Sequence, residues 1–230
     1  QKRKRPKSEP HLMETIKQKA IVVGAGGLGR EVAAMIESSF SNEIDIIGFV
    51  DDGKPSGESI NGYPVLGGVK NLVSWAEPIS VYIGIGVPSV RKRIVEHLSS
   101  NLHLKFPNLI HPFARIHSPS TVQLGRGNII CDGVILTTNI QIGNFNLINL
   151  SATIGHDTTI GDFISIMPSV NVSGGAQIKN EAFIGTGAKL IKSTELKNGC
   201  VVGAGAVVTK DIPKGEVWGG VPAKKLSIEE

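Results

Sequence analysis

Aromatic side chains are scarce in this sequence: only 5% of its 230 residues are Phe, Trp or Tyr. A core that depends on large rings is therefore excluded. Cysteine is scarce as well, and the spacing of Cys131 and Cys200 matches neither a metal site nor a redox motif. No apolar run approaches the roughly 20 residues that a membrane helix needs. These absences predict a reduced, cytoplasmic protein without a metal site or a membrane segment.

A surplus of positive charge is confined to the first twelve residues. They hold five of the 24 Lys and Arg residues but only one of the 20 acidic residues, so 19 of each remain in 13–230. A balanced chain has no basic surface to attract a nucleic acid, and we predict no such partner. Residues 1–12 are interpreted as a tag remnant or a disordered basic arm, since the chain from Met13 has the form of a natural start.

Short apolar runs alternate with amphipathic stretches between Met13 and about residue 110. The predicted strands are 21–23, 44–50 and 81–85, and the predicted helices are 30–38, 68–75 and 90–98. This alternation indicates a parallel sheet with crossover helices. Because the segment is about half of a full dinucleotide-binding fold, we assign 13–110 to a Rossmann-like α/β half domain.

A glycine-rich loop follows the first predicted strand. In GAGGLG, Gly24, Gly26 and Gly29 match a pattern that lets the backbone approach a pyrophosphate at a helix N-terminus. Asp51 and Asp52 end the next strand, where a carboxylate commonly meets a ribose or a base. Three interpretations are open: NAD binding, a purely structural turn, and binding of the diphosphate of a nucleotide-linked substrate. The missing second half of the fold favours the third.

A period of six residues begins after residue 110. Every sixth residue from Leu124 to Val208 is aliphatic, fifteen in succession, and six of them are followed directly by Gly. This period fits neither a helix nor a simple strand. It is typical of a hexapeptide-repeat β-helix, in which three repeats close one triangular coil. We therefore predict a parallel β-helix over 111–212, with aliphatic side chains in a narrow interior.

His156 stands out among the six histidines of the chain. It lies at a predicted corner of a coil, so its ring is expected to point outward. Gly174, one coil later, leaves open space beside the ring, and the adjacent Asp157 can orient the ring or stabilise its charge. We favour a catalytic role for His156 over an exposed corner histidine without function. His111 and His117 flank the first, irregular corner, and we expect structural roles for them.

The C-terminal segment 213–230 follows the last repeat and contains a Pro/Gly loop. Small residues at 203–206 leave room for a thin, extended ligand along the edge of the coil. Lys224 and Lys225 are expected near the phosphates of that ligand. We assign 213–230 to a tail associated with it.

Six motifs occur in order along the chain: GAGGLGREV, GFVDD, IGIGVPSVR, INLSATIGHDTTIGD, SGGA and GGVPAK. With the repeat, this ordered set resembles the bacterial nucleotide-sugar acyltransferases of the hexapeptide superfamily. It is most similar to the sialic-acid-cluster NeuD proteins and to the N-acetyltransferases of the bacillosamine and perosamine pathways. The resemblance covers 13–230. It implies a left-handed β-helix, a homotrimer with acetyl-CoA between neighbouring helices, and a nucleotide sugar on the N-terminal domain.

The resemblance also implies roles for single residues. His156 matches the general base and Asp157 its acidic partner. The implied substrate-binding residues are Gly26, Gly27, Leu28, Asp51, Asp52 and Asn149. The implied acetyl-CoA-binding residues are Ser165, Gly174, Thr186 and Ala204, to which the tail adds Lys224. Leu28 and Ser165 each stand where the bacillosamine-type enzyme has a histidine.

We therefore expect an N-acetyltransferase that moves the acetyl group of acetyl-CoA to a nucleotide-linked amino sugar, for the synthesis of bacterial surface-glycan precursors. An amine must lose a proton before it attacks, and a histidine base suits that task. Two alternatives are open. One is O-acetylation of a sialic acid or a related sugar with the same His156. The other is a non-catalytic β-helix scaffold whose first domain senses a nucleotide.

Overall fold

A computed structural model describes residues 17–227, so the predicted leader 1–12 lies outside the described residues. The first part of the chain contains β1 (Gln18–Val23), α1 (Gly27–Phe40), β2 (Ile44–Val50), β3 (Ser59–Ile60), β4 (Tyr63–Pro64), α2 (Lys70–Val73), β5 (Ile79–Ile83), α3 (Pro88–Leu98) and β6 (Leu104–Lys105). Strands β2, β1, β5 and β6 form a sheet in this order, and its parallel pairing agrees with the prediction. None of the helices in 17–227 is long and apolar enough to cross a membrane.

Three features of this part differ from the predictions, and one of them is the short strand β6, which was not predicted. The helix predicted at 68–75 is only the single turn of α2, because Val69 and Leu72 bury just one turn against the sheet. The hairpin of β3 and β4 was not predicted, since its two-residue strands are too short to show an alternating pattern.

The glycine loop is tight because β1 and α1 approach each other closely. A Cβ atom at Gly29 would lie 1.8 Å from the carbonyl oxygen of Gly24, and Gly24 itself has a φ of +95°. Backbone contact therefore requires glycine at both positions. In contrast, a Cβ at Gly26 or Gly27 would meet nothing within 4 Å. The middle of the loop is open to a ligand.

The second part of the chain winds into a parallel β-helix with three faces. The first face contains β7 (Leu109–Ile110), β10 (Ile129–Ile130), β13 (Leu147–Ile148), β16 (Ser165–Ile166), β19 (Phe183–Ile184) and β22 (Val201–Val202). The second face contains β8 (Arg115–Ile116), β11 (Ile135–Leu136), β14 (Thr153–Ile154), β17 (Asn171–Val172), β20 (Lys189–Leu190) and β23 (Val207–Val208). The third face contains β9 (Val122–Leu124), β12 (Ile140–Ile142), β15 (Thr159–Ile160), β18 (Gln177–Ile178) and β21 (Glu195–Leu196).

The register of these strands follows the predicted coil. Successive strands on a face are parallel, and equivalent residues such as Thr153 and Asn171 are 18 positions apart. The first coil is longer, because Leu109 pairs with Ile129, 20 positions later. At the C-terminal end, β24 (Val217–Gly219) extends the first face, and β25 (Lys224–Lys225) returns antiparallel to it.

The aliphatic repeat fills the interior of the β-helix. From Ile130 to Val208, every repeat residue is at most 4% exposed. Small corner residues complete this core, and Cys200 is one of them. Burial raises the pKa of the Cys200 thiol to about 12, and it raises the pKa of the Cys131 thiol to about 12 as well. Both thiols therefore stay protonated near neutral pH.

The α/β unit packs on the first face of the β-helix, and Arg91 of α3 joins the two parts. Its guanidinium is buried and donates to the carbonyl oxygens of Ile85 at 2.6 Å, Phe145 at 2.8 Å and Ile164 at 2.9 Å. It also donates to the Ser165 hydroxyl at 3.0 Å. Burial lowers the pKa of Arg91 to about 10, so the group keeps its charge near neutral pH.

Candidate active site

His156 lies at the corner that joins the second and third faces, between β14 and β15. Its Nδ1 atom is 2.7 Å from Oδ2 of Asp157. A carboxylate only accepts hydrogen bonds, so Nδ1 carries the hydrogen and Nε2 of the neutral ring keeps its lone pair. The side chains of His156 and Asp157 are 64% and 58% exposed. This arrangement leaves Nε2 accessible to accept a proton, with a carboxylate that can orient the ring.

The carboxyl group of Asp157 is held in its ionised form by its neighbours. The hydrogen bond to His156 lowers the pKa of Asp157 below its ordinary value, and a hydrogen bond from Asn139 lowers it further. The backbone of Asp157 is left-handed, with a φ of +57°, which Asp tolerates better than most residues. The tight corner therefore favours Asp at the position where the ring of His156 needs an acceptor.

Gly174 lies directly beside the ring of His156, on the next coil. A Cβ atom at Gly174 would be only 2.5 Å from both Cε1 and Nε2 of that ring. The N–H of the following Gly175 donates to the carbonyl of His156 at 2.7 Å, which fixes the register of the two corners. The structure therefore brings His156, Asp157 and Gly174 together, with the lone pair of Nε2 above a residue that has no side chain.

The substrate-binding residues predicted in the glycine loop lie at the N-terminus of α1. Gly26 caps the helix and Gly27 begins it, and both are exposed. Leu28 is half-buried and faces a cavity described below. The free backbone N–H groups and the partial positive charge of a helix N-terminus suit an anionic group such as a phosphate.

Asp51 and Asp52 both hold loops in place. The carboxylate of Asp51 accepts from Ala25 N–H at 2.7 Å and from Gly53 N–H at 2.8 Å, and so supports the glycine loop. Asp52 accepts from Val69 N–H at 2.8 Å. Each carboxylate oxygen can accept more than one hydrogen bond. A contact with a ribose or a base is therefore compatible with these loop contacts.

A cavity of about 400 Å³ separates α1 from the corners that join the first and second faces. Leu28 and Asn149 both line it, so the structure brings these two predicted substrate-binding residues together. Asn149 is 4% exposed, and its side-chain oxygen accepts from Leu150 N–H at 2.7 Å. His156 does not line this cavity, because it lies at a different corner.

Ser39, His111 and Asp132 lie close together beside the same cavity. Ser39 Oγ is 3.1 Å from Nε2 of His111, and Asp132 Oδ1 is 3.5 Å from Nδ1. However, Phe113 N–H donates to Nδ1 at 3.1 Å, so the hydrogen of the neutral ring is on Nε2. Nε2 then donates to Ser39 and cannot take its proton. The trio therefore lacks the geometry of an activated serine.

The predicted acetyl-CoA-binding residues are divided among several places. Thr186 and Ala204 lie on adjacent coils at the corner between the first and second faces, and Gly205 N–H donates to the Thr186 carbonyl at 2.8 Å. Lys224 is exposed on β25, and the next residue, Lys225, pairs with Glu216 at 2.7 Å. Gly174 lies at the corner of His156 instead.

The structure contradicts the prediction that Ser165 lines the acetyl-CoA groove. Ser165 is fully buried on the first face, under the α/β unit. Its hydroxyl donates to the carbonyl of Gly86 at 2.6 Å and accepts from Arg91. Ser165 points outward, because it precedes the inward-facing Ile166 on its strand, but the α/β unit covers that face.

The two halves of the predicted site lie far apart in one chain. The α/β unit with the glycine loop packs on the first face, through contacts of Leu147 and Phe145 among others. His156 lies at the corner opposite that face of the triangular coil. The cavity residues of one chain therefore cannot meet the His156 of the same chain.

Within 17–227, no group of three or more His, Cys, Asp or Glu side chains is arranged to hold a metal ion.

Similarity to solved acetyltransferases, one of them in complex with acetyl-CoA, defines the class of the protein: it is an acyltransferase. Residues 19–98 match the family described as the PglD N-terminal domain. A comparison with curated protein sequences found no significant match.

Comparison with solved structures identifies the family. The acetyltransferase domain of PglB from Neisseria gonorrhoeae FA1090 is 32% identical, with a TM-score of 0.84, and the match covers 91% of this chain and 100% of that chain. WeeI from Acinetobacter baumannii AYE is 32% identical, with a TM-score of 0.78 and the same coverage. PerB from Caulobacter crescentus, solved with CoA and GDP-perosamine, is 27% identical, with a TM-score of 0.81, and the match covers 93% of this chain and 99% of that one.

The chain therefore belongs to the PglD-like nucleotide-sugar N-acetyltransferases of the hexapeptide-repeat family. The similarity confirms the predicted fold class: a Rossmann-like α/β half domain followed by a left-handed β-helix. It also confirms acetyl-CoA as the co-substrate that the family uses.

Proposed function

We propose that the chain transfers the acetyl group of acetyl-CoA to the amine of a nucleotide-linked amino sugar, with His156 as the general base. The observation that carries this proposal is the corner of His156, where Asp157 fixes Nδ1–H and the open Nε2 faces Gly174. The PglB domain has been solved with acetyl-CoA, and PerB with CoA and GDP-perosamine, which supports this pair of substrates.

In the proposed reaction, Nε2 of His156 accepts a proton from the attacking amine. The amine nitrogen then forms a bond to the acetyl carbonyl carbon, the carbon–sulfur bond breaks, and the proton passes to the leaving thiolate. Asp157 stabilises the imidazolium that forms between these two transfers. General-base help of this kind is typically worth about 10²–10⁴-fold.

The backbone N–H of Gly174 is our candidate for stabilising the developing oxyanion. Within 17–227 it donates no backbone hydrogen bond, whereas the neighbouring Ser173 and Gly175 both do. A donor that is already in place beside the base can act on an oxyanion without reorganisation. The absence of a side chain at Gly174 leaves room for a thioester to reach both groups.

The proposal requires more than one copy of the chain. Because the glycine loop and His156 of one chain lie on opposite sides of the β-helix, a nucleotide sugar held by one chain reaches the His156 of a neighbour. We propose a homotrimer in which the corner of His156 meets the cavity beside Leu28 and Asn149 of the next chain. Acetyl-CoA then lies between them, in contact with Gly174 of one chain and Thr186 and Ala204 of the other.

The proposed division of labour follows the two parts of the chain. Residues 13–110 bind the nucleotide sugar through Gly26, Gly27, Asp51 and Asp52, and the β-helix supplies the catalytic corner. The C-terminal residues from 213 onward contribute Lys224 to the CoA side. A cytoplasmic location is part of the proposal, in keeping with the two buried thiols.

The proposal is tested by measuring the release of the CoA thiol with a panel of nucleotide amino sugars. Parent protein should release CoA with an amine acceptor, and His156→Ala should lose at least about 10²-fold in kcat. His117→Ala is the matched control, because His117 is also exposed and follows β8 at the corner that joins the second and third faces. Release with hydroxyl acceptors alone would favour O-acetylation, and parental turnover of His156→Ala would refute the role of His156.

A further inference from the structure

Asn139 contacts the carboxylate that holds the proposed base. Its side-chain amide donates to Oδ1 of Asp157 at 3.1 Å, while Oδ2 of Asp157 is bonded to Nδ1 of His156. The carboxylate only accepts, so the amide nitrogen, and not the amide oxygen, faces it. Both oxygens of Asp157 are therefore engaged, one by His156 and one by Asn139.

The position of Asn139 is fixed by the coil that precedes His156. Asn139 is 18 residues before Asp157, and Asp157 N–H donates to the carbonyl of Thr138 at 3.1 Å. Asn139 N–H donates in turn to Oγ1 of Thr121 at 3.1 Å. The backbone of Asn139 is left-handed, with a φ of +54°, like that of Asp157. A row of hydrogen bonds thus runs along the corner over three coils and ends at the His156 ring.

This row matters because the pair of His156 and Asp157 is mostly exposed. A hydrogen bond between two exposed side chains gives little energetic preference for one geometry, because water competes for both groups. One hydrogen bond alone would let the carboxylate rotate toward water, and the ring of His156 would rotate with it. The bond from Asn139 opposes this rotation and favours the ionised carboxylate, in agreement with the lowered pKa of Asp157.

We propose that Asn139 is a positioning residue for catalysis: it holds the Asp157 carboxylate so that Nδ1 of His156 stays protonated and Nε2 stays aimed at the substrate. This role rests on the proposed function of His156. Among residues 17–227, the charged side chain in contact with His156 is Asp157, and the register places Lys192 two coils further along the same corner.

The test compares the same change, Asn to Gly, at two positions with left-handed backbone. Asn139→Gly removes the amide and keeps the left-handed backbone, which glycine adopts without strain. Its kcat should fall roughly tenfold, the effect of losing one hydrogen bond to a charged group at an exposed site. Asn61→Gly is the matched control, because Asn61 has a φ of +50° in the turn between β3 and β4, away from His156. It should retain parental turnover.

Two further measurements separate positioning from a merely structural role. In an Asp157→Gly background, Asn139→Gly should cause no further loss, because its effect passes through Asp157. Asn139→Asp should move the acid limb of the kcat/KM profile to higher pH, because an added negative charge favours the protonated ring of His156.

Any one of three results would overturn the role of Asn139. The first is parental turnover of Asn139→Gly, and the second is a further loss when Asn139→Gly is added to Asp157→Gly. The third is a kcat/KM profile of Asn139→Asp whose acid limb does not move to higher pH. These results leave the proposed function intact as long as His156→Ala is inactive. If His156→Ala itself retains turnover, the proposed function fails first, and the role of Asn139 fails with it.

Discussion

Replacement of Gly174 by alanine is a sharp test of the catalytic corner. The added Cβ would lie 2.5 Å from Cε1 and Nε2 of His156, whereas ordinary contacts begin near 3.4 Å. The ring of His156 must therefore move by about 1 Å, which is enough to break a productive hydrogen bond to a substrate. A displacement of this size typically costs about 10²-fold in rate. The backbone of Gly174 is not left-handed, so the substitution should not disturb the fold.

The assay for Gly174→Ala combines turnover, measured by thiol release, with the melting temperature. We expect kcat to fall about 10²-fold, with a melting temperature close to that of the parent protein. Gly175→Ala should show the opposite pattern, because Gly175 has a φ of +74° and a side chain there costs roughly 1–2 kcal/mol of stability. If Gly174→Ala turns over at the parental rate, the His156 ring is not in the position required, and the reasoning about this corner is refuted.

Three other predictions concern the assembly and the α/β unit. Arg91→Ala leaves three carbonyl groups, two of them buried, without their donor. The free energy of unfolding in urea should fall by about 3–5 kcal/mol; a loss below about 1 kcal/mol would contradict the importance of these bonds. Light scattering should give about three chains per particle, and a fully active monomer would remove the shared site. Nucleotide sugars should raise the melting temperature by binding the native state, and NAD should not; the reverse result would favour the dinucleotide interpretation.

The core of the β-helix could be predicted from the sequence because its period is unusual. Six-residue spacing has no competing explanation in a helix or a two-residue strand, so Ile130 through Val208 were assigned correctly to the interior. The juxtaposition of His156 and Gly174 followed from the same arithmetic, since each coil adds 18 residues. The contact of Asn139 with Asp157 obeys this rule as well and was missed, although the spacing was visible.

The burial of Ser165 could not be read from the repeat alone, because the repeat is the same on all three faces. One further signal was available. The outward residues of the first face include Ile129, Leu147 and Phe183, whereas the third face carries Gln141 and Gln177 at the equivalent positions. An apolar outward column indicates a covered face, and Ser165 is a polar residue within that column. Its partner Arg91 comes from a distant helix, which no local pattern reveals.

The tail after the last coil has a consequence for how copies of the chain behave toward one another. A parallel β-helix presents, at its end, three sheet edges with unpaired N–H and C=O groups, and each such edge is a template for adding another chain. The segment that follows β23, from residue 209 onward, pairs with all three of them.

Each edge is paired with a different part of this segment. On the first face, β24 pairs with β22, and β25 pairs with β24. On the second face, Ala223 N–H donates to the Val207 carbonyl at 2.8 Å. On the third face, Ile212 pairs with Leu196. A chain cut after Val208 would expose all three edges together with the open end of its aliphatic interior. The residues after Val208 therefore protect this end of the β-helix from the addition of another chain.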